Sequence, residues 1–103
     1  MTPVAARRAP VTVRTEGAVV VLELSDVLDP LVGRVLVDAV TSALSMRPER
    51  IEIDLRLLES WTDDGVCALV TCRELCRELP DGLHYRTGRG PGRAALLAAY
   101  TCD

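Results

Sequence analysis

Alternation of apolar and polar residues marks the first two predicted elements of this chain. Residues 11–15 read VTVRT, in which apolar and polar side chains alternate, and this period of two predicts a half-buried β-strand. Glu16 and Gly17 supply a turn, and residues 18–24 then read AVVVLEL, a nearly continuous aliphatic run. Such a run is typical of a buried strand. The sequence therefore predicts that the two segments pair as a hairpin.

A helical period follows the hairpin. Asp29 directly before Pro30 predicts a helix start, because a carboxylate can cap free N–H groups and proline suits the first helical position. Apolar residues then recur at helical spacing until the region of Met46, before Pro48. These apolar positions are Val32, Leu36, Ala39, Val40, Ala43 and Leu44.

The strand pattern returns at residues 51–57, IEIDLRL, where apolar residues alternate with charged ones. A strand, a helix and a second strand in this order predict a parallel β-α-β unit, since parallel neighbours need a crossover of this length. Residues 66–79, VCALVTCRELCREL, predict a second amphipathic helix that ends before Pro80.

A short strand at residues 83–87 and a last helix at residues 94–100 complete the pattern. The predicted fold class is α/β: a small single domain with a mixed β-sheet and helices packed on it, in the order β-β-α-β-α-β-α. Residues 1–10 are expected to be a flexible N-terminal lead, and residues 11–103 are expected to form the domain.

Composition narrows the classes of partner. The formal net charge is −3, and all 12 basic residues are arginines scattered along the chain. A nucleic-acid surface needs a basic stripe, so no nucleic-acid partner is predicted. The longest aliphatic run is too short to span a bilayer. We therefore expect no membrane partner and a cytoplasmic location.

The four cysteines are Cys67, Cys72, Cys76 and Cys102. Their spacing matches no zinc pattern, so neither a metal site nor a cofactor is predicted. On a helix Cys72 and Cys76 share one face, whereas Cys67 points elsewhere. We expect free cysteines that act as small buried hydrophobes in a reducing compartment.

Two longer motifs carry a resemblance to a known family. Residues 24–29 read LSDVLD, and residues 53–69 read IDLRLLESWTDDGVCAL. In this order and spacing they resemble the STAS domain, the fold of anti-sigma-factor antagonists, over roughly residues 11–100. The distance from Asp54 to Gly65 fits the family without a gap. The resemblance implies a non-enzymatic module of bacterial transcription regulation. Its implied partner is an anti-sigma factor or a kinase-like regulatory protein, and its implied state is a monomer or weak homodimer.

The sequence departs from the family pattern at the place that matters for regulation. Family members carry an Asp before a Ser that a partner kinase phosphorylates. Here the Asp position falls on Thr62, and the two hydroxyl positions fall on Asp63 and Asp64. The usual phosphoacceptor is therefore missing, and whether Ser60 or Thr62 replaces it stays open. The glycine that often follows Gly65 by two residues is replaced by a cysteine.

The aspartate pair has three interpretations. Two carboxylates carry about the charge of a phosphoserine, roughly −2, and could hold the module off a kinase permanently. They could also bind an arginine-rich partner. The third interpretation is that one of them is simply the N-cap of the helix. The candidate partner-binding and regulatory residues are Asp26, Asp29, Ser60, Trp61, Thr62, Asp63, Asp64, Gly65 and Val66.

Trp61 is expected to lie in the core, and partial exposure would make it a contact anchor.

Two further functions stay open. One is a STAS subunit of a transport or sensory complex, which would also act through protein contacts. The other is an acidic phosphoryl site that binds Mg²⁺ through the aspartates, since this ion takes oxygen ligands.

Overall fold

The computed structural model describes residues 9–102. The order β-β-α-β-α-β-α is confirmed. The expected flexible lead at residues 1–10 lies outside the described residues, apart from Ala9 and Pro10. The elements are β1 (Val11–Glu16), β2 (Val19–Leu28), α1 (Pro30–Leu44), β3 (Arg50–Trp61), α2 (Asp63–Leu75), β4 (Leu83–Arg86) and α3 (Pro91–Ala99).

The four strands form one mixed sheet in the order β1-β2-β3-β4. β1 and β2 pair antiparallel as the predicted hairpin, and Gly17 adopts the left-handed backbone that its turn requires (φ 62°). β2 with β3 and β3 with β4 are parallel. α1 and α2 are the crossovers that these parallel pairs need.

The three helices pack on one face of the sheet, and a single aliphatic core lies between them and the strands. Leu22 of β2 and Ile53 of β3 belong to this core, together with Leu36 of α1, Leu69 of α2 and Ala95 of α3. All five side chains are fully buried. Burial of aliphatic area of this kind is the main term that stabilises a domain of this size.

The opposite face of the sheet carries charged side chains, as the alternation in β3 predicts. Glu52 and Asp54 point to this face, yet they are only 7% and 1% exposed. Arginine side chains cover them: Arg86 Nη2 lies 2.7 Å from Glu52 Oε2, and Arg56 Nη2 lies 2.7 Å from Asp54 Oδ2. Hydrogen bonding to Arg56 keeps the pKa of Asp54 below its ordinary value, although burial opposes this shift.

Several boundaries differ from the prediction. β3 runs to Trp61 instead of residue 57, because its last residues pair in parallel with the end of β2 although their own pattern does not alternate. α2 ends at Leu75 instead of residue 79. Turn hydrogen bonds replace helical ones from Arg77 onwards. Pro80 contributes to this ending, since it disfavours the helical backbone for the residue before it.

Candidate functional site

The starts of α1 and α2 lie side by side because β2 and β3 are parallel neighbours. Leu28 and Trp61, the last residues of these strands, are partners in the ladder. The next residue, Thr62, donates its backbone N–H to the carbonyl oxygen of Leu28 at 3.0 Å. The structure therefore brings Asp29 and the segment from Thr62 onwards together at one end of the sheet.

Each of the two helices has a side-chain N-cap. Asp29 Oδ1 accepts the backbone N–H of Val32 at 2.9 Å, as predicted. In α2 the cap is Thr62, whose Oγ1 accepts the backbone N–H of Gly65 at 2.9 Å. The interpretation of Asp63 or Asp64 as the N-cap is therefore wrong. Thr62 holds the extended backbone that an N-cap needs (φ −109°, ψ 157°), whereas both aspartates are already helical.

Gly65 allows the two helix starts to approach each other. A Cβ built on Gly65 would overlap the carbonyl oxygen of Leu28 and would lie 2.8 Å from the Cα of Asp29. On the facing helix, a Cβ on Gly33 would lie 3.0 Å from the Cβ of Ala68. Small residues on both sides therefore set the spacing of α1 and α2 at this end.

Asp63 and Asp64 occupy the first turn of α2, and both are exposed. Within residues 9–102 no cation forms a salt bridge with either carboxylate. The free N–H groups and the dipole of the helix favour negative charge at this position. The two carboxylates thus form a negatively charged patch that is exposed to solvent and compatible with the start of the helix.

The remaining predicted site residues differ in accessibility. Ser60 is exposed at the end of β3, and Asp26 is exposed in β2 with a left-handed backbone (φ 65°). Trp61 is half-buried and packs against the core. Val66 is 1% exposed and belongs to the core. Like Gly65, it shapes the surface from beneath and offers no side-chain atoms to a partner.

The sequence analysis did not predict the exposed apolar side chains of α1 or the groove between α1 and α2. Leu31 and Val35 of α1 are 69% and 42% exposed, and a groove of about 290 Å³ runs between α1 and α2 from Pro30 to Asp64 and Thr71. The signal was present, because Leu31 and Val35 are four residues apart and lie outside the buried stripe of α1. Asp64 lines this groove together with Pro30, Val37 and Ala68, whereas Leu31 and Val35 do not line it.

The expectation that all cysteines are free is wrong for two of them. Cys67 of α2 and Cys102, which follows α3, form a disulfide. The expectation holds for Cys72 and Cys76, which are free and buried. Burial raises the pKa of the Cys72 thiol to about 12 and that of the Cys76 thiol to about 11. Helical spacing correctly placed Cys67 on a different face of α2 from Cys72 and Cys76. It could not show that Cys102 lies next to Cys67 in the folded protein.

Two further properties bear on the alternatives. Among residues 9–102, no group of three or more His, Cys, Asp or Glu side chains is arranged to hold a metal ion. In the same residues, no helix has both the length and the apolar character needed to cross a bilayer.

Comparison with known proteins identifies the fold. No protein-family model and no curated protein matches the sequence. Among solved structures, the chain is similar to an anti-sigma factor antagonist from Mycobacterium paratuberculosis. The TM-score is 0.70 and the identity 21%, over 87% of this chain and 77% of that chain.

A second solved structure, described as "Crystal Structure Analysis of Mglu", is similar with a TM-score of 0.66 and 17% identity over 78% of this chain. This chain spans 20% of the length of that protein. Together with the order of the elements, the similarity to the antagonist confirms the expected STAS-like fold.

Proposed function

We propose that this protein is a non-enzymatic interaction module that acts as an anti-sigma-factor antagonist. Its partner would be an anti-sigma factor or a kinase-like regulatory protein, and it would act in the cytoplasm on transcription. The observation that carries the proposal is the exposed pair Asp63–Asp64 at the start of α2, in a fold similar to that of a solved antagonist. No observation favours a transport or sensory complex over this function.

The chemistry of the surface fits recognition better than catalysis. Its charge comes from Asp63 and Asp64, which have no ion-pair partner within residues 9–102. Its apolar area comes from Pro30, Val37 and Ala68, which line the groove beside Asp64. Apolar contact supplies affinity, whereas charge supplies specificity and a faster approach of the partner. An arginine on the partner could pair with both carboxylates at once.

The test is affinity capture from the source cell with Asp63→Asn/Asp64→Asn beside the wild type, read by mass spectrometry. Asparagine keeps the shape of the side chain and removes the charge. The matched control is Glu74→Gln/Glu78→Gln, which removes the same charge from the other end of α2 and the turn after it. We expect an anti-sigma factor to be captured by the wild type and the control and to be lost with the asparagine variant.

A third variant, Asp63→Ser/Asp64→Ser, separates the two regulatory interpretations. Capture of a kinase-like anti-sigma factor by the serine variant alone means that the aspartates hold the module in a permanent unbound state. Equal capture by all variants means that the acidic pair is not part of the binding surface. Absence of any anti-sigma factor from every capture, with all variants folded, overturns the proposed partner.

A further inference from the structure

The disulfide joins α2 to the residues that follow α3. Cys67 lies in the second turn of α2, and Cys102 follows α3, 35 residues later. α3 has nine residues, a length at which an isolated helix is marginal in water. The covalent link therefore falls beside a short helix that depends on tertiary contacts for its stability.

The fully buried contacts of α3 are made by small residues. Its buried residues are Gly92, Ala95 and Ala99, whose side chains offer little apolar area to the core. Of the two leucines of α3, Leu96 is partly buried and packs against the core, whereas Leu97 is 59% exposed. Tyr100, just after the helix, is 62% exposed. The start of α3 also lacks a side-chain cap, which leaves its first N–H groups without that stabilisation.

The four cysteines divide into two chemical classes. Cys72 and Cys76 are buried, and their raised pKa values keep them as unreactive thiols. Cys67 and Cys102 are partly exposed to solvent, and their Cα atoms are 5.7 Å apart. Disulfides within reach of solvent exchange with external thiols more readily than buried ones.

We propose that Cys67 and Cys102 form a reversible redox-modification site whose oxidation fastens α3 to α2. The co-substrate is a small-molecule disulfide. One cysteine thiolate attacks it and forms a mixed disulfide with release of one thiol, and the second cysteine then displaces the other thiol. Two protein thiols lose two electrons and two protons, and the external disulfide is reduced to two thiols. This inference does not depend on the proposed function.

Reduction reverses these steps and leaves α3 held only by noncovalent packing, chiefly of its small buried residues and Leu96. Gly92 packs against the carbonyl of Leu55 in β3, so loosening of α3 uncovers this segment of the sheet. The change is transmitted to α2 at Cys67, three residues after Asp64. The oxidation state of Cys67 and Cys102 thus sets how firmly α3 is held against β3 and α2.

The first measurement is a thiol count on the denatured protein after incubation with glutathione disulfide or with dithiothreitol. We expect two free thiols after oxidation, located at Cys72 and Cys76 by peptide mapping, and four after reduction. A stable glutathione adduct on Cys67 or Cys102, or oxidation of the buried pair, overturns the proposal.

The second measurement is amide hydrogen exchange of residues 94–100 in both states. Release of a link of this loop length predicts exchange faster on the order of 100-fold after reduction. Cys67→Ser and Cys102→Ser should each show the fast exchange under both conditions. The control Cys72→Ala/Cys76→Ala should keep the difference. Equal exchange in oxidised and reduced wild type overturns the role assigned to the disulfide.

Discussion

Replacement of Gly65 by alanine tests the close approach on which the proposed site depends. The added Cβ would overlap the carbonyl oxygen of Leu28 and would lie 2.8 Å from the Cα of Asp29. Both are backbone atoms at the junction of β2 and α1, so neither can rotate away. Overpacking of this kind costs up to about 3 kcal/mol. The better helix propensity of alanine returns about 1 kcal/mol. The expected net loss of unfolding free energy is about 2 kcal/mol.

The assay is thermal unfolding followed by circular dichroism, with all variants fully reduced so that the disulfide does not contribute. For a domain of this size the expected loss corresponds to a fall in Tm of about 10 °C. The control is Gly33→Ala, where the nearest atom is the Cβ of Ala68 at 3.0 Å. A shift of a few tenths of an ångström relieves that contact, so we expect a smaller loss. Gly65→Ala at wild-type stability, or above Gly33→Ala, would refute the reasoning.

Three further predictions concern the rest of the fold. Asp54→Asn should cost about 1 kcal/mol, a modest loss because water screens the exposed half of its ion pair. Since the folded pKa of Asp54 is lowered, its contribution is present above the unfolded pKa of about 3.9. It is lost as the pH falls through the folded value, so urea midpoints of wild type and variant should converge in acid. Thr62→Ala should cost about 1 kcal/mol through loss of the α2 cap, whereas Thr62→Ser should cost much less; equal losses would contradict the capping role. Leu36→Ala should cost about 3 kcal/mol because the side chain is fully buried, and a urea midpoint within error of wild type would contradict its place in the core.

The sequence predicted the cap of the first helix correctly and left the cap of the second helix undecided. Asp29 with Pro30 is a local signal, since a cap and the first helical position are adjacent in sequence, and the structure confirms it. At the second helix the local signal was ambiguous, because Thr62, Asp63 and Asp64 are all able to cap. Thr62 is the cap because its hydrogen bond to Leu28 of β2 keeps its backbone extended, as an N-cap requires.

Burial of charge could not be derived from alternation. The period of two in residues 51–57 correctly assigns Glu52 and Asp54 to the face away from the core, but it predicts side chains open to water. They are buried because Arg86 and Arg56 lie across them. One of these arginines belongs to a different strand, so the pairing exists only once the sheet has formed.

The sequence by itself determined the order of the elements, the aliphatic core face and the start of the first helix. These features depend on side-chain period and on neighbouring residues, which are local along the chain. The tertiary structure decided the end of α2, the meeting of the two helix starts at Gly65 and the joining of Cys67 to Cys102. Each of these depends on residues distant in sequence, and their distances are fixed only when the helices and strands pack together.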